Sequence, residues 1–146
     1  MLAIVVRREN LKVGAAENKQ LMKSICDELA KGNSRPFIES MADDFAWKVT
    51  GTTKWSHTYE GKQAVLTELL GPLVQQFANQ YINIADRFIA EDNYVVVECH
   101  GEVITKSGKP YNNKYCWVCR FSDGKLRHLT EYMDTELVAT TFAGVL

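Results

Sequence analysis

Residues that could transfer a proton lie at two places in this sequence, a polar loop before the middle of the chain and a strand near its end. His57 and Tyr59 lie on the loop, where either side chain could assist a proton transfer, and histidine titrates close to neutral pH. His128 and Glu131 lie on the strand at a spacing that turns them to opposite faces of a sheet. A carboxyl group that faces an apolar interior loses solvation, which raises its pKa towards the range of a general acid or base. The strand register therefore decides which ionisable group takes part.

The final turn sets that register, and the residues leave two alternatives open. A two-residue turn at Asp123-Gly124 turns one set of side chains inward, namely His128, Thr130 and Tyr132. A three-residue loop over 122–124 turns the other set inward, namely Arg127, Leu129, Glu131 and Met133. A shift of one residue thus exchanges the whole inward face.

The preceding hairpin carries an aromatic face that would surround the inward group. Its strand alternates Asn113, Tyr115, Trp117, Cys119 and Phe121 on one side. A loop at 107–109 predicts three facing pairs, which are Cys99 with Trp117, Gly101 with Tyr115, and Glu102 with Lys114.

Helices come first in the chain and strands follow. Apolar spacing predicts helices over 17–30, from Ser34 through Met41, and from Gly61 through Phe77, the last one bent at Gly71-Pro72. Alternation predicts a strand over 45–50, with Trp47 and Val49 on one face, and then a four-strand antiparallel meander from Tyr81 onwards. Asp134 is placed to cap a short last helix. The order predicts an α+β domain.

Composition predicts one soluble domain. The 146 residues are 46% hydrophobic and carry a net charge of −1 with scattered basic residues, which argues against nucleic acid as a partner. No apolar run approaches the roughly 20 residues of a membrane span. Four cysteines without framework spacing favour a reducing, cytoplasmic location. Residues 1–16 lack signal-peptide features and are predicted to be a tail or an added strand.

No metal or cofactor is predicted. Cys116 and Cys119 have redox-like spacing, but on a strand their side chains point to opposite faces. The three histidines lack ligand spacing, and neither a phosphate-binding glycine loop nor a serine-hydrolase elbow is present.

The strings MADDFAWKVTGT, YEGKQAV, NKYCWVCRF and DGKLRHLTEYMDT, in this order after two helices, resemble the SnoaL-like branch of the nuclear transport factor 2-like superfamily. The resemblance covers about residues 17–142 and implies one such domain over 17–146. It implies a cystatin-like, cone-shaped α+β barrel, with three N-terminal helices on a strongly curved antiparallel meander and a short C-terminal helix. It also implies a deep apolar pocket and a homodimer through the outer sheet face. That face would carry Glu98, His100, Lys114, Cys116 and Val118.

The resemblance favours the register that turns Glu131 inward, which makes Glu131 the leading candidate for a general acid or base. Tyr115 or His57 would then polarise a substrate oxygen. The pocket lining predicted with them is Phe37, Trp47, Val49, Trp55, Tyr59, Cys99, Asn113, Trp117, Leu129 and Met133. In the related ketosteroid isomerases the catalytic positions correspond to Val49, Trp117 and Ile25, none of which suits that reaction. The acid, arginine and acid set of limonene-epoxide hydrolases is incomplete, with Arg127 and Glu131 alone.

Two functions remain open from the sequence. The first is a cofactor-independent isomerase, cyclase or hydratase that acts by proton transfer on a small hydrophobic carbonyl compound. The second is a non-catalytic module of the same fold, which binds a small hydrophobic ligand or acts in dimeric interactions. A second polar group beside Glu131 favours the enzyme, whereas a filled or purely apolar interior favours the module.

Overall fold

The structure, a computed structural model, describes residues 13–145. Its helices are α1 (Ala15–Leu29), α2 (Arg35–Ser40), α3 (Lys62–Ala64), a π-helical turn (Val65–Leu70), α4 (Gly71–Val74) and α5 (Thr135–Thr141). Its strands are β1 (Met41–Val49), β2 (Thr58–Glu60), β3 (Ile82–Glu91), β4 (Tyr94–Glu102), β5 (Lys114–Ser122) and β6 (Lys125–Met133). Of the predicted tail over 1–16, residues 1–12 lie outside the described part, while Ala15 and Ala16 belong to α1.

One six-stranded sheet supports the whole fold, in the order β2-β1-β6-β5-β4-β3. Strands β3 to β6 form the predicted antiparallel meander, and β1 joins it parallel to β6. The predicted α+β, cystatin-like class is confirmed, with helices before the meander and a short one after it. The sheet does not close into a barrel, because β2 and β3 remain as its two edges.

Helix α1 covers the inner face of β3 and β4 with the apolar stripe that its sequence predicts. Met22, Ile25, Cys26 and Leu29 are all buried. Its burial raises the pKa of the Cys26 thiol to about 12. Helix α1 therefore covers this end of the core, and α2 and the helical segment 62–74 cover the other end.

The helical segment 62–74 is bent where the sequence predicts, and the bend takes the form of a π-helical turn. Pro72 has no N–H to donate to the preceding turn, so the regular hydrogen-bond ladder cannot continue through it. Gly71 instead donates its N–H to the carbonyl of Leu66, five residues earlier. A Cβ atom on Gly71 would lie 3.0 Å from that carbonyl oxygen, so the missing side chain allows the close approach.

The predicted register of the β4–β5 hairpin is wrong by two residues. The turn is formed by residues 106–108, and Gly108 is its last residue, with φ +85° and its N–H bonded to the Thr105 carbonyl at 2.8 Å. The turn is therefore centred on residue 107 instead of residue 108, and this displacement by one residue shifts the pairing of the two strands by two. The observed pairs are Val97 with Trp117, Cys99 with Tyr115, and His100 with Lys114. A shift of two preserves every side chain's face, so the predicted inward set is unchanged.

The β5–β6 hairpin combines the two alternatives that the sequence left open. Its turn has two residues, Asp123 and Gly124, both with positive φ. A bulge then shifts the register between Leu126 and His128, which places Glu131 inward and opposite Trp117. Arg127, predicted to face inward with Glu131, instead forms an ion pair with Asp44 at 2.9 Å.

Residues 13–145 contain no helix that is long and apolar enough to span a bilayer. Within the same range, no group of three His, Cys, Asp or Glu side chains is arranged to hold a metal ion. Cys119 is buried whereas Cys116 is half-buried on the outer side of β5.

Candidate functional site

A cavity of about 400 Å³ lies between the inner face of the sheet, α2 and the helical segment 62–74. Leucine side chains of the segment form one wall, and aromatic side chains of α2 and the sheet form the other. Ser34 and Val74 line the cavity and are exposed, which marks the mouth between α2 and α4. A cavity of this volume with mostly apolar walls suits a small organic molecule.

A second, wider groove lies beside the start of α1, where Asn18, Asp92 and Asp123 contribute to its lining. It does not include Glu131 or the aromatic side chains around it. We therefore place the candidate site in the apolar cavity.

Glu131 lies in the floor of this cavity, between neighbouring strands on both sides. In the sheet it pairs with Val49 of β1 and with Trp117 of β5. Thr50 fixes this part of β6, because its N–H and its hydroxyl both donate to the Glu131 carbonyl, at 3.1 and 2.7 Å. The carboxyl group is held on rigid elements, and only 9% of the residue is exposed.

Burial controls the ionisation of Glu131. Loss of solvation raises its pKa from 4.5 to about 7, and hydrogen bonding from the Trp47 and Trp117 indoles partly opposes that rise. The Trp47 Nε1–H donates to Oε2 at 3.0 Å. The Trp117 indole interacts more weakly, since its buried Nε1 makes no hydrogen bond of ordinary geometry with the described residues. Glu131 can therefore exchange a proton near neutral pH.

Three aromatic rings keep the two indoles in place. Phe37 of α2 stacks on Trp117 with ring centroids 5.6 Å apart and planes 15° from parallel. Trp47 meets both rings edge-on, at 5.8 Å from Phe37 and 6.0 Å from Trp117. Such edge and stacked arrangements are favourable geometries for aromatic pairs, so the indole nitrogens have defined positions.

Tyrosine hydroxyls form a second polar group in the cavity wall. Tyr115 interacts through its hydroxyl with both Tyr81 and Tyr111, and burial raises the pKa of all three. Asn83 donates to the Tyr81 hydroxyl at 3.1 Å, and Asn113 donates to the Tyr111 hydroxyl at 3.2 Å. These tyrosines stay protonated at neutral pH and already have hydrogen-bond partners.

The structure brings together only part of the predicted site. Five predicted residues line the cavity, namely Phe37, Trp47, Tyr115, Trp117 and Glu131. The other predicted lining residues do not border it, namely Val49, Trp55, Tyr59, Cys99, Asn113, Leu129 and Met133.

His57 is not brought to Glu131. It is exposed, and its ring contacts the Tyr59 ring at 3.8 Å between centroids. The Tyr59 hydroxyl donates to the Trp55 carbonyl at 2.9 Å, and Trp55 packs edge-on against Phe142 of the C-terminal region. His57 thus lies at the surface, and Tyr59 lies on β2 opposite Trp47 of β1, but neither side chain borders the cavity.

Sequence reasoning missed Tyr81, Tyr111 and the leucine wall. Tyr81 precedes β3 and Tyr111 lies in the β4–β5 connection, so neither belongs to the alternating pattern of a strand interior. Leu66, Leu69 and Leu70 fall within the helix predicted from Gly61 through Phe77, but their place on the cavity depends on the π-helical turn.

The chain is similar to known proteins both in sequence and in fold. The family model of the SnoaL-like domain matches residues 23–129. An NTF2-like protein of unknown function from Burkholderia pseudomallei superposes with a TM-score of 0.73 at 18% identity, over 87% of this chain and 98% of that one. A protein of unknown function with a cystatin-like fold from Xanthomonas campestris gives 0.69 at 19% identity, over 85% and 96%. TerC, co-crystallised with polyporic acid, gives 0.70 at 18% identity, over 85% and 96%. No curated protein matches the chain.

Proposed function

Because the chain belongs to the SnoaL-like domain family, whose fold leaves chemistry to the pocket residues, we propose that it catalyses proton transfer on a small hydrophobic carbonyl compound without a cofactor. Glu131 is the general base and acid of the reaction. The observation that carries the proposal is a buried carboxyl group with a pKa of about 7 in the floor of an apolar cavity.

The reaction begins with ionised Glu131. Its carboxylate takes a proton from the carbon next to the carbonyl group, the C–H bond breaks, and the electron pair moves to the carbonyl oxygen to give an enolate. Glu131 then returns the proton to the same carbon or to another carbon of the conjugated system. When the carboxyl group first exchanges its proton with solvent, return to the same carbon gives hydrogen exchange, whereas return to another carbon gives isomerisation. No oxidant, reductant or further reactant is needed.

The surroundings of Glu131 suit both halves of this cycle. The Trp47 N–H stabilises the carboxylate, so that it can act as a base, and burial keeps the protonated form within reach at neutral pH. The apolar walls exclude water, which strengthens electrostatic interactions with a developing enolate.

Hydrogen–deuterium exchange tests the proposal without knowledge of the natural substrate. The protein is incubated in D₂O with 1-tetralone, a flat apolar ketone, and loss of the proton signal next to the carbonyl is followed by NMR. We expect Glu131→Gln to reduce the protein-dependent rate at least 100-fold, in the range of a lost general base. Glu60→Gln, a matched change on exposed β2, should leave the rate unchanged. Equal rates for wild type and E131Q would overturn the proposal.

A ligand-binding module is the second candidate, and the composition of the cavity supports it. Among the lining residues in the described range, Glu131 is the one carboxyl group, and no histidine, lysine or arginine joins it. In that case the protein binds 1-tetralone or polyporic acid, the compound crystallised with TerC, but exchanges no proton. Binding measured by calorimetry together with the exchange rate separates the two functions.

A further inference from the structure

The Trp117 indole nitrogen is a buried donor whose interaction with the Glu131 carboxyl group is the weaker of the two indole contacts. Trp117 is 4% exposed, lines the cavity and stands opposite Glu131 in the sheet. Its Nε1 makes no hydrogen bond of ordinary geometry within residues 13–145, so its hydrogen-bonding capacity is largely unused. Buried polar groups are almost always paired, so an unpaired one beside a cavity calls for an explanation.

The stacking of Phe37 fixes this donor. With the rings 15° from parallel and Trp47 against the edge, the Trp117 indole cannot turn to find another acceptor without losing both contacts. The other donors nearby are already used. The Trp47 N–H is bound to Glu131, and the Tyr115 hydroxyl interacts with its tyrosine neighbours.

Resting on the function proposed above, we propose that Trp117 positions the ligand by donating its Nε1–H to the ligand's carbonyl oxygen. The ligand class is then a flat apolar compound with a hydrogen-bond acceptor on one edge. The ring of such a compound lies against the aromatic wall, and its acceptor meets the indole next to Glu131. As negative charge develops on the oxygen during enolisation, the same hydrogen bond becomes stronger. This assigns to Trp117 the role predicted from the family resemblance for Tyr115 or His57.

A pair of ligands that differ only in the acceptor tests the inference. We measure the dissociation constants of 1-tetralone and of tetralin, which lacks the oxygen, by calorimetry at pH 8.5. At this pH Glu131 is ionised and cannot donate a hydrogen bond. In Trp117→Phe the dissociation constant of 1-tetralone, divided by that of tetralin, should increase about tenfold. Both ligands lose contact with the larger ring, but only the ketone loses a hydrogen-bond donor. Tyr115→Phe is the matched control and should keep the wild-type ratio.

A spectroscopic measurement on the wild-type protein covers the case in which W117F does not fold. The three tryptophans give three indole N–H signals in a ¹H–¹⁵N spectrum, assigned by their loss in single Trp→Phe variants or by elimination. The Trp117 signal should move downfield with 1-tetralone and stay in place with tetralin. A Trp117 signal that does not respond to the ketone overturns the inference, as does a tenfold change in Y115F with none in W117F.

The role of Trp117 in binding and the role of Glu131 in proton transfer can be tested separately. Glu131→Gln should abolish exchange and keep the preference for the ketone, because Trp117 is intact. If wild type shows the Trp117 response but no exchange, the inference stands and the catalytic proposal fails, which leaves a carbonyl-specific binding protein.

Discussion

Trp47 increases the ionised fraction of Glu131 at neutral pH, because its indole N–H forms a stronger hydrogen bond with the carboxylate than with the neutral acid. Without that donor, only the weaker Trp117 interaction opposes the effect of burial, and the pKa of Glu131 must rise above about 7. In Trp47→Phe the rate of ketone exchange should therefore reach its half-maximum at a higher pH than in wild type, and the rate at pH 7 should fall.

The measurement is the exchange rate of 1-tetralone between pH 5 and 9. Trp55→Phe serves as the control, since Trp55 is equally buried but packs on Phe142 outside the cavity. A half-maximum that stays at the wild-type pH in W47F would contradict the assignment of this hydrogen bond.

At the scale of residues, alternation predicts the aromatic face of β5, whereas the residues of β6 leave two registers open and only the resemblance to the SnoaL-like branch turns Glu131 towards that face. The sequence does not predict that His57 and Tyr59 fail to border the cavity. A loop has no periodicity that fixes its direction, and here the Tyr59 hydrogen bond to Trp55 turns the loop towards the C-terminal helix.

At the scale of elements, Gly101 of β4 allows Tyr81 to reach the cavity wall. A Cβ atom at this position would lie 2.6 Å from the Tyr81 hydroxyl oxygen and 2.7 Å from a ring carbon. Gly101→Ala should therefore displace the ring and lower the free energy of unfolding by about 1–3 kcal/mol, the usual cost of overpacking.

A double-mutant cycle with Tyr81→Ala checks this contact by urea unfolding. Removing the ring relieves the overlap, so G101A should cost much less in the Y81A background than in wild type. Additive costs would mean that G101A destabilises β4 for a reason other than the contact with Tyr81.

The elements also show where sequence patterns stop being informative. Alternation gave the correct faces of β4 and β5 but left those of β6 open, because turn geometry decides the pairing. Two glycines occupy different kinds of turn. Gly108 ends a three-residue turn, whereas Gly124 belongs to a two-residue turn followed by a bulge. A bulge depends on how the strand meets β1 and the core, which no local sequence signal reports.

At the scale of the whole molecule, the homodimer through the outer sheet face stays a prediction, as does the cytoplasmic location. The described face carries a hydrogen bond between His100 and Asp86, at 2.8 Å, and the ion pair of Arg87 with Glu98, at 3.1 Å, beside half-buried Cys116 and Val118. It thus offers charged and apolar surface together.

The stability of the whole fold should depend on pH through Glu131. The folded-state pKa of about 7 lies above the ordinary value of 4.5, so the neutral carboxyl group is favoured by folding. Below pH 4.5 the group is protonated in both states and folding carries no penalty. Between pH 4.5 and 7 the unfolded protein ionises this group while the folded protein keeps it neutral, so stability is lost progressively and the loss is complete once the pH has passed about 7. A difference of about 2.5 pKa units corresponds to a loss on the order of 3 kcal/mol.

Glu131→Gln removes this dependence while keeping the shape of the side chain. We expect urea unfolding from pH 4 to 9 to show that the free energy of unfolding of E131Q, relative to that of wild type, increases with pH by about 3 kcal/mol. Most of the increase should occur between pH 4.5 and 7. Groups that both proteins share cancel in the difference, so the result reports Glu131 alone. A difference that stays constant with pH would mean that the carboxyl group has its ordinary pKa in the folded protein. The cavity would then hold an ionised acid at neutral pH, and the acid half of the proposed proton transfer would lose its donor.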